Sequence, residues 1–249
     1  MPFDTPLAEE IWNKKYRFRS DTGEDADLAA TFERVSEAVS NAEAPSVRDF
    51  WRLRFRDALT DFRFIPAGRI LAGAGTARNV TLFNCFVMGT VPDSLPGIFE
   101  HLREAAVTMQ QGGGVGMDFS TIRPSGAPVK GVGAQASGPL SFMDTWDAMC
   151  RTIMSAGQRR GAMMGCLRID HPDIEAFIDA KRDVARLRNF NLSVLVTDAF
   201  MDALDRGAEW TLSFEGRPYR KLSASDLWDR LMKATYDAAE PGVIFIDRV

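Results

Sequence analysis

Histidine and cysteine are scarce in this chain, and their scarcity excludes several kinds of protein at once. Its 249 residues hold two histidines, His101 and His171, and three cysteines, Cys85, Cys150 and Cys166. Three widely spaced thiols make no disulfide framework. No two of them stand at zinc-ligand spacing, and the two histidines are isolated from the cysteines and from each other, so no structural metal site is expected. No apolar run is long enough to span a bilayer. The N-terminus, MPFDTPLAEEIWNKK, lacks the basic start and apolar middle of a secretory signal. The excess positive charge that general nucleic-acid binding requires is missing too: the net charge is −4 and the pI about 5.4. The chain is expected to be cytoplasmic, with no direct contact to nucleic acid or membrane.

Glycine is concentrated instead of absent. Residues 110–139, QQGGGVGMDFSTIRPSGAPVKGVGAQASGP, hold eight of the 20 glycines, with Arg123 and Lys130 inside. Glycine allows positive φ and close approach of backbone to a ligand. Two cations among such backbone suit a phosphorylated small molecule, although composition alone fits a long surface loop equally well. The stretch is neither G-x-G-x-x-G, because Phe119 stands where the third glycine would be, nor G-x-x-x-x-G-K-[ST]. A second glycine-bounded segment, 155–165, carries Gln158, Arg159 and Arg160 at its tip. Each cysteine reads differently. Cys150 falls on the apolar stripe of a helix and reads as core. Cys85, near a strand end, is open between a structural and a reactive thiol.

In chain order, residues 1–60 read as helical, with a helix from about Asp25 to Ser40 and another capped by Ser46 that turns Phe50 and Phe55 towards a core. Prolines and glycines between Phe62 and Thr76 break any helix. Thr81–Met88 reads as a buried strand. Asp93 and Ser94 cap an amphipathic helix through Gln111, with Leu95, Ile98, Phe99, Leu102, Ala106 and Met109 on its apolar face. Val115–Phe119 suits a strand, and a second amphipathic helix follows Pro139. Strands at about 166–170, 191–196, 210–214 and 243–246 alternate with helices, an α/β pattern. His171 reads as a loop or cap residue beside Pro172.

The order of FIPAGRILAGAGT, NCFV, QQGGGVGMDFSTIRPSGAPVKGVG, ASGPLSFMDTWDAMC, SAGQRRGAMMG, DHPDIEAFIDAK, NFNLSVLVTDAFM and PGVIFIDR resembles the large catalytic subunits of ribonucleotide reductases, most closely the adenosylcobalamin-dependent class. The resemblance runs from about residue 60. It implies an N-terminal helical region, residues 1–60, followed over 61–249 by the first part of a ten-stranded α/β barrel with effector and specificity loops. It implies radical reduction of ribonucleotides, of the ribonucleoside-diphosphate type, with adenosylcobalamin as cofactor.

By position, the resemblance makes Cys85 one of two redox-active thiols. Ala67, Gly68, Arg69, Asn84, Gly113, Gly114 and Gly116 fall on the substrate side. Asp93, Ser94, Arg123 and Lys130 fall around an allosteric deoxynucleotide or ATP. Gln158, Arg159 and Arg160 lie in the loop that relays base identity. A thioredoxin-like reductant and a homodimer are the implied partners. The family's radical-carrying Cys, its base Glu and its second redox Cys have no counterpart before Val249. The chain therefore reads as an N-terminal part needing a C-terminal part for activity, with exposed strand edges and an uncovered apolar sheet face. The other reading is a non-catalytic nucleotide-binding regulatory or assembly module.

Overall fold

The computed structural model describes residues 3–21, 23–129, 131, 133–153, 162–183 and 185–249. The chain divides into two units. The first takes the residues up to Asn84 together with Gln111–Gly113, and the second begins at Cys85 and resumes at Gly114.

Short helices open the first unit. Helix α1 (Pro6–Ile11) starts at Thr5, whose hydroxyl accepts the N–H of Ala8, and passes into a π-turn over Trp12–Tyr16. A two-stranded antiparallel ribbon follows, β1 (Arg19–Ser20) with β2 (Gly23–Glu24). Helix α2 (Leu28–Ser40) is capped by Asp27 and buries Leu28, Phe32 and Val35, while Val39, at the same helical spacing, is exposed. Helix α3 (Arg48–Leu59) differs from expectation. Its N-cap is Val47, not Ser46, and Phe50 is 57% exposed, because only Leu59 turns fully inward. Helix α4 (Gly68–Gly73) also forms where glycines were expected to prevent one. Ala67 turns the chain into it, and Arg34 of α2 closes its far end by donating to the carbonyls of Leu71 (3.0 Å) and Ala74.

Arg34 is itself held by a buried carboxylate. Its Nη2 lies 2.9 Å from Asp25 Oδ2, and Asp25 also accepts from the Thr31 hydroxyl (2.7 Å) and the Phe18 N–H (3.1 Å). Burial alone would raise the Asp25 pKa; Arg34 and the two other donors outweigh it and hold the carboxyl below its ordinary value.

The second unit is built on a parallel sheet. Strand β3 (Cys85–Val87) leads to α5 (Leu95–Gln110) and β4 (Gly114–Asp118); α6 (Pro139–Thr152) precedes β5 (Met163–Arg168); α7 (Ile174–Ile178) precedes β6 (Phe190–Val196). After α8 (Asp198–Asp205) comes an antiparallel hairpin of β7 (Glu209–Phe214) and β8 (Arg217–Ser223), then α9 (Ala224–Ala238) and β9 (Gly242–Phe245). Sheet order is β3-β4-β5-β6-β9, all parallel, and the sheet is not closed.

Side chains alternate across strands. One face carries Val115, Met117, Met163, Leu167, Leu192 and Val194, which pack with α5, α6, α8 and α9 in one core around Trp146 and Phe177. Cys150 lies in that core at 5% exposure, as its stripe predicted. The opposite face, expected to be apolar, is mixed: it carries Val87, Met164, Leu195 and Ile244 together with a polar row. Following the register, Asp118, Cys166 and Ser193 make one row across three strands, with Asn191 and Arg168 on either side of it.

Three further expectations are corrected. The strand around Cys85 is three residues long and not buried, with Val87 96% exposed. Helix α5 buries Ile98, His101, Ala105 and Met109, leaving Leu95 and Phe99 exposed. Strand β8 was not foreseen, because RPYRKLS has no apolar alternation. Among the described residues no helix is long and apolar enough to cross a membrane.

Candidate functional site

The glycine-rich stretch separates into two structures. Its first part turns from α5 into β4, with Gly112 at φ +92°. Gly114 pairs with Cys85 and Gly116 with Val87. A Cβ on Gly116 would meet its nearest neighbour, Met164 Cβ, at an ordinary 3.7 Å, and its φ is not left-handed. Packing does not demand glycine there. Its effect is to leave bare backbone on the same sheet face as the exposed Cys85.

The other two thiols differ. Burial, and then the charge of Asp118, push the Cys166 thiol up to about 11. From the register, Cys166 lies four residues along and two strands across from Cys85. At ~3.3 Å per residue and ~4.8 Å per strand that is ~16 Å, more than twice the Cα separation a disulfide spans. No disulfide links any of the three.

The second part of the stretch is an ordered loop. Pro128 and Gln135 form an antiparallel bridge, and Gly126 N–H bonds to Ala136 O at 2.9 Å. Glycines 126, 131 and 133 all take positive φ there with open space around them, so backbone conformation alone calls for them. At the base of the loop, Arg123 meets Asp93. The backbone N–H of Arg123 is 3.2 Å from Asp93 Oδ1 and its Nε 2.7 Å from Oδ2; its two Nη groups reach the carbonyls of Asp93 (3.2 Å) and Pro128 (3.3 Å). The two residues lie 30 positions apart in the chain, and each side chain keeps about a quarter of its surface exposed. Ser94 caps α5, its Oγ accepting the Gly97 N–H at 3.3 Å.

Lys130 and the tip residues Gln158, Arg159 and Arg160 lie outside the described residues. Of the substrate-side residues, Ala67, Gly68, Arg69, Asn84 and Gly113 belong to the first unit, and Gly114 and Gly116 to the second. Gly68 packs closely: a Cβ would stand 3.2 Å from the Tyr16 ring. Asn84 is exposed.

Two residues read only as a helix start prove to hold the loop. Asp173 Oδ2 accepts the Ser125 N–H at 2.8 Å, and His171 Nε2 lies 3.0 Å from Ile122 O. Burial pushes the His171 pKa below its ordinary value, against the raising influence of that hydrogen bond and of Asp173, Asp170 and Asp118. The motif D-H-P-D was the available signal, but its contact is 48 residues away. A cavity of about 340 Å³ opens beside His171, at the C-terminal ends of β4 and β5, lined by Ser120, Thr121, Arg168, Asp170 and the 213–216 turn. Arg168 is already paired there with both oxygens of Asp170, each at 2.8 Å. Cys85 lies at the opposite, N-terminal edge of the same sheet. Among the described residues no group of His, Cys, Asp and Glu could hold a metal ion.

Comparison with known proteins identifies the family. Residues 2–79 match the family model for the ribonucleotide reductase all-alpha domain, and residues 83–249 the model for its barrel domain. The vitamin B12-dependent ribonucleoside-diphosphate reductase of Mycobacterium tuberculosis strain H37Rv is 34% identical over 249 residues, covering 97% of this chain and 35% of its own. Its namesake from Thermoplasma acidophilum is 34% identical over 248 residues, 98% of this chain and 31% of its own. The ribonucleoside-diphosphate reductase subunit alpha of Chlamydia muridarum is 26% identical over 233 residues, 80% and 22%. The chain thus spans about a third of the length of the vitamin B12-dependent relatives. With both of the family's domains matched in order along one chain, this protein belongs to the ribonucleotide reductase family.

Proposed function

We propose that this chain is the effector-binding and substrate-binding part of a vitamin B12-dependent ribonucleotide reductase, which converts ribonucleoside diphosphates to deoxyribonucleotides. The observation that carries the proposal is Cys85, an exposed thiol on an edge strand beside the bare backbone of Gly114 and Gly116. Replacing a 2′-hydroxyl by hydrogen takes two electrons and two hydrogens, and two thiols supply them, leaving water and a disulfide. Cys85 is one of those thiols. The second comes from another polypeptide segment, since Cys150 is buried in the core and Cys166 is far beyond bonding distance.

In this reading Ala67, Gly68, Arg69, Asn84 and Gly113 of the first unit, and Gly114 and Gly116 of the second, are substrate-binding residues. Asp93, Ser94, Arg123 and Lys130 hold a deoxynucleotide or ATP effector. Gln158, Arg159 and Arg160 carry base identity between the two. The Arg123–Asp93 pair suits this role: a guanidinium for phosphate oxygens beside a carboxylate for sugar hydroxyls. Exposed Leu95, Phe99 and Val107 on α5 support a homodimer through that helix. A thioredoxin-like protein is the proposed source of electrons, and the cytoplasm the proposed location.

The names of the relatives are the ground for proposing vitamin B12 as the cofactor, which would supply the radical. This chain's imidazoles do not fit as ligands to a cofactor metal. His101 and His171 are 4% and 2% exposed, and each bonds a backbone carbonyl. The chain's own work is therefore to bind nucleotide and present a thiol.

One experiment tests the proposal. The chain is combined with a polypeptide matching the remaining length of its relatives, adenosylcobalamin and a dithiol, and deoxyribonucleotide is measured. Activity only in the combination, abolished by Cys85→Ser, is expected; turnover by the chain alone, or full activity of the variant, would refute it. A regulatory module is the second reading, favoured by the Arg123–Asp93 site being contained in this chain while the thiol pair is not. It predicts nucleotide binding without rescue of reduction.

A further inference from the structure

The loop that carries Arg123 is fixed from two sides. One anchor lies after β3: Thr121 Oγ1 donates to Val91 O at 2.7 Å, and Arg123 engages Asp93. The other lies after β5. There the Nε2–H of His171 donates to Ile122 O, and its Nδ1 accepts the Asp173 N–H at 3.0 Å. A carbonyl can only accept and an amide only donate, so these two partners fix the neutral tautomer. The carboxylate of Asp173 then takes the Ser125 N–H. Residues on both sides of Arg123 are thus held by one three-residue segment.

Asp173 is oddly used for its position. It is the N-cap of α7, where an Asp ordinarily accepts from its own helix, yet its side chain makes no capping hydrogen bond. Gly138 completes the junction. A Cβ there would come within 2.6 Å of Asp173 Oδ2 and 2.8 Å of Ser125 N, at a φ of +80°. Three segments converge on one hydrogen bond, at the cost of a helix cap and of any side chain at residue 138.

We propose that His171 and Asp173 are positioning residues of the effector site, holding residues 122–125 so that Arg123 presents its guanidinium to the phosphates of a bound nucleotide. The proposal rests on the reading of Arg123 and Asp93 as effector residues given above. Around His171 the other charged groups are Asp118, Asp170, Arg168 and Glu215, with Phe214 edge-on to the ring at 5.7 Å. None of them bonds residues 122–125 of the loop, which leaves the clamp to His171 and Asp173.

The test is calorimetric titration of the 249-residue chain with dATP, dTTP and dGTP. Asp173→Ser is the informative variant. Serine is a good N-cap, too short to reach Ser125, so it returns the cap to α7 while releasing the loop. Thermal stability is expected to hold or rise while deoxynucleotide affinity falls about fivefold to tenfold, the worth of one ordinary hydrogen bond. Asp173→Asn, which keeps an acceptor oxygen, is expected to restore most of the affinity. In an Arg123→Ala background, Asp173→Ser should cost nothing further. Unchanged affinity in a folded Asp173→Ser, or an equal loss in both backgrounds, would overturn the proposal. If the parent chain binds no deoxynucleotide, the effector reading itself has failed. Hydrogen exchange then decides the clamp alone: faster exchange of the 120–127 amides in Asp173→Ser supports it, and unchanged exchange overturns it.

Discussion

One carboxylate, that of Asp93, takes both the backbone N–H and the side-chain Nε of Arg123. The pair therefore fixes a main-chain position as well as a charge. Asp93→Ala should loosen the loop and unpair Arg123 together, weakening deoxynucleotide binding by about tenfold, as expected for a charge-assisted pair. Arg123→Ala should cost at least as much. Fluorescent deoxynucleotide titration of the two variants checks this, and wild-type affinity in either would remove Arg123 from the site.

Arg34 predicts a stability effect. It is the buried partner of Asp25 and closes α4 through two carbonyls. Arg34→Met leaves a carboxylate buried without its cation and should cost about 3–5 kcal/mol in urea unfolding. The sign of the pH dependence follows from the depressed Asp25 pKa. The unfolded chain takes up the proton first as pH falls, so this contribution is whole above the ordinary value of 3.8 and is lost below it. In Arg34→Met the folded-state Asp25 pKa rises, so the stability deficit relative to wild type should be largest at neutral pH and shrink as pH falls.

The thiols should react in order of access. Cys85 is exposed, Cys166 is half-buried with its thiol raised to about 11, and Cys150 lies in the core. Iodoacetamide at pH 8 should modify Cys85 first, because the thiolate is the reacting form and access limits the rest. Peptide mass spectrometry over time reads the order. Early modification of Cys166 would remove the grounds for singling out Cys85.

Two glycines should behave oppositely. Gly116→Ala meets Met164 only at an ordinary van der Waals distance and an ordinary φ, and should leave the unfolding midpoint nearly unchanged. Gly138→Ala meets Asp173 and Ser125 at a left-handed φ and should destabilise by more than ~1 kcal/mol. On the proposed function the order should reverse for catalysis, with Gly116→Ala the more damaging to deoxyribonucleotide formation by the reconstituted combination.

Local pattern carried the parts of the fold that local pattern decides. Leu140, Met143, Trp146 and Cys150 share a stripe and are all buried in α6. Thr197 and Ser223 cap the helices they precede. Where tertiary pairing decides, pattern failed. Strand β8 exists because β7 supplies a partner for a polar sequence, and Phe50 has an apolar side chain at a position α3 turns to solvent. The resemblance to a family named Arg123 and Asp93, but their contact across 30 residues is a product of folding. Asp173 escaped notice because its helix-start pattern was genuine while its side chain served another loop.

The row of Asp118, Cys166 and Ser193 has a physical consequence for assembly. A wholly apolar sheet face would stick to any neighbour, whereas this one sets the exposed carboxylate of Asp118 among Val87, Met164 and Leu195. A segment laid over it exchanges water hydrogen bonds for protein ones, a nearly balanced trade, and must offer donors to Asp118 in the right place. Covering is therefore selective for register and sensitive to salt, and a wrongly docked segment is free to leave.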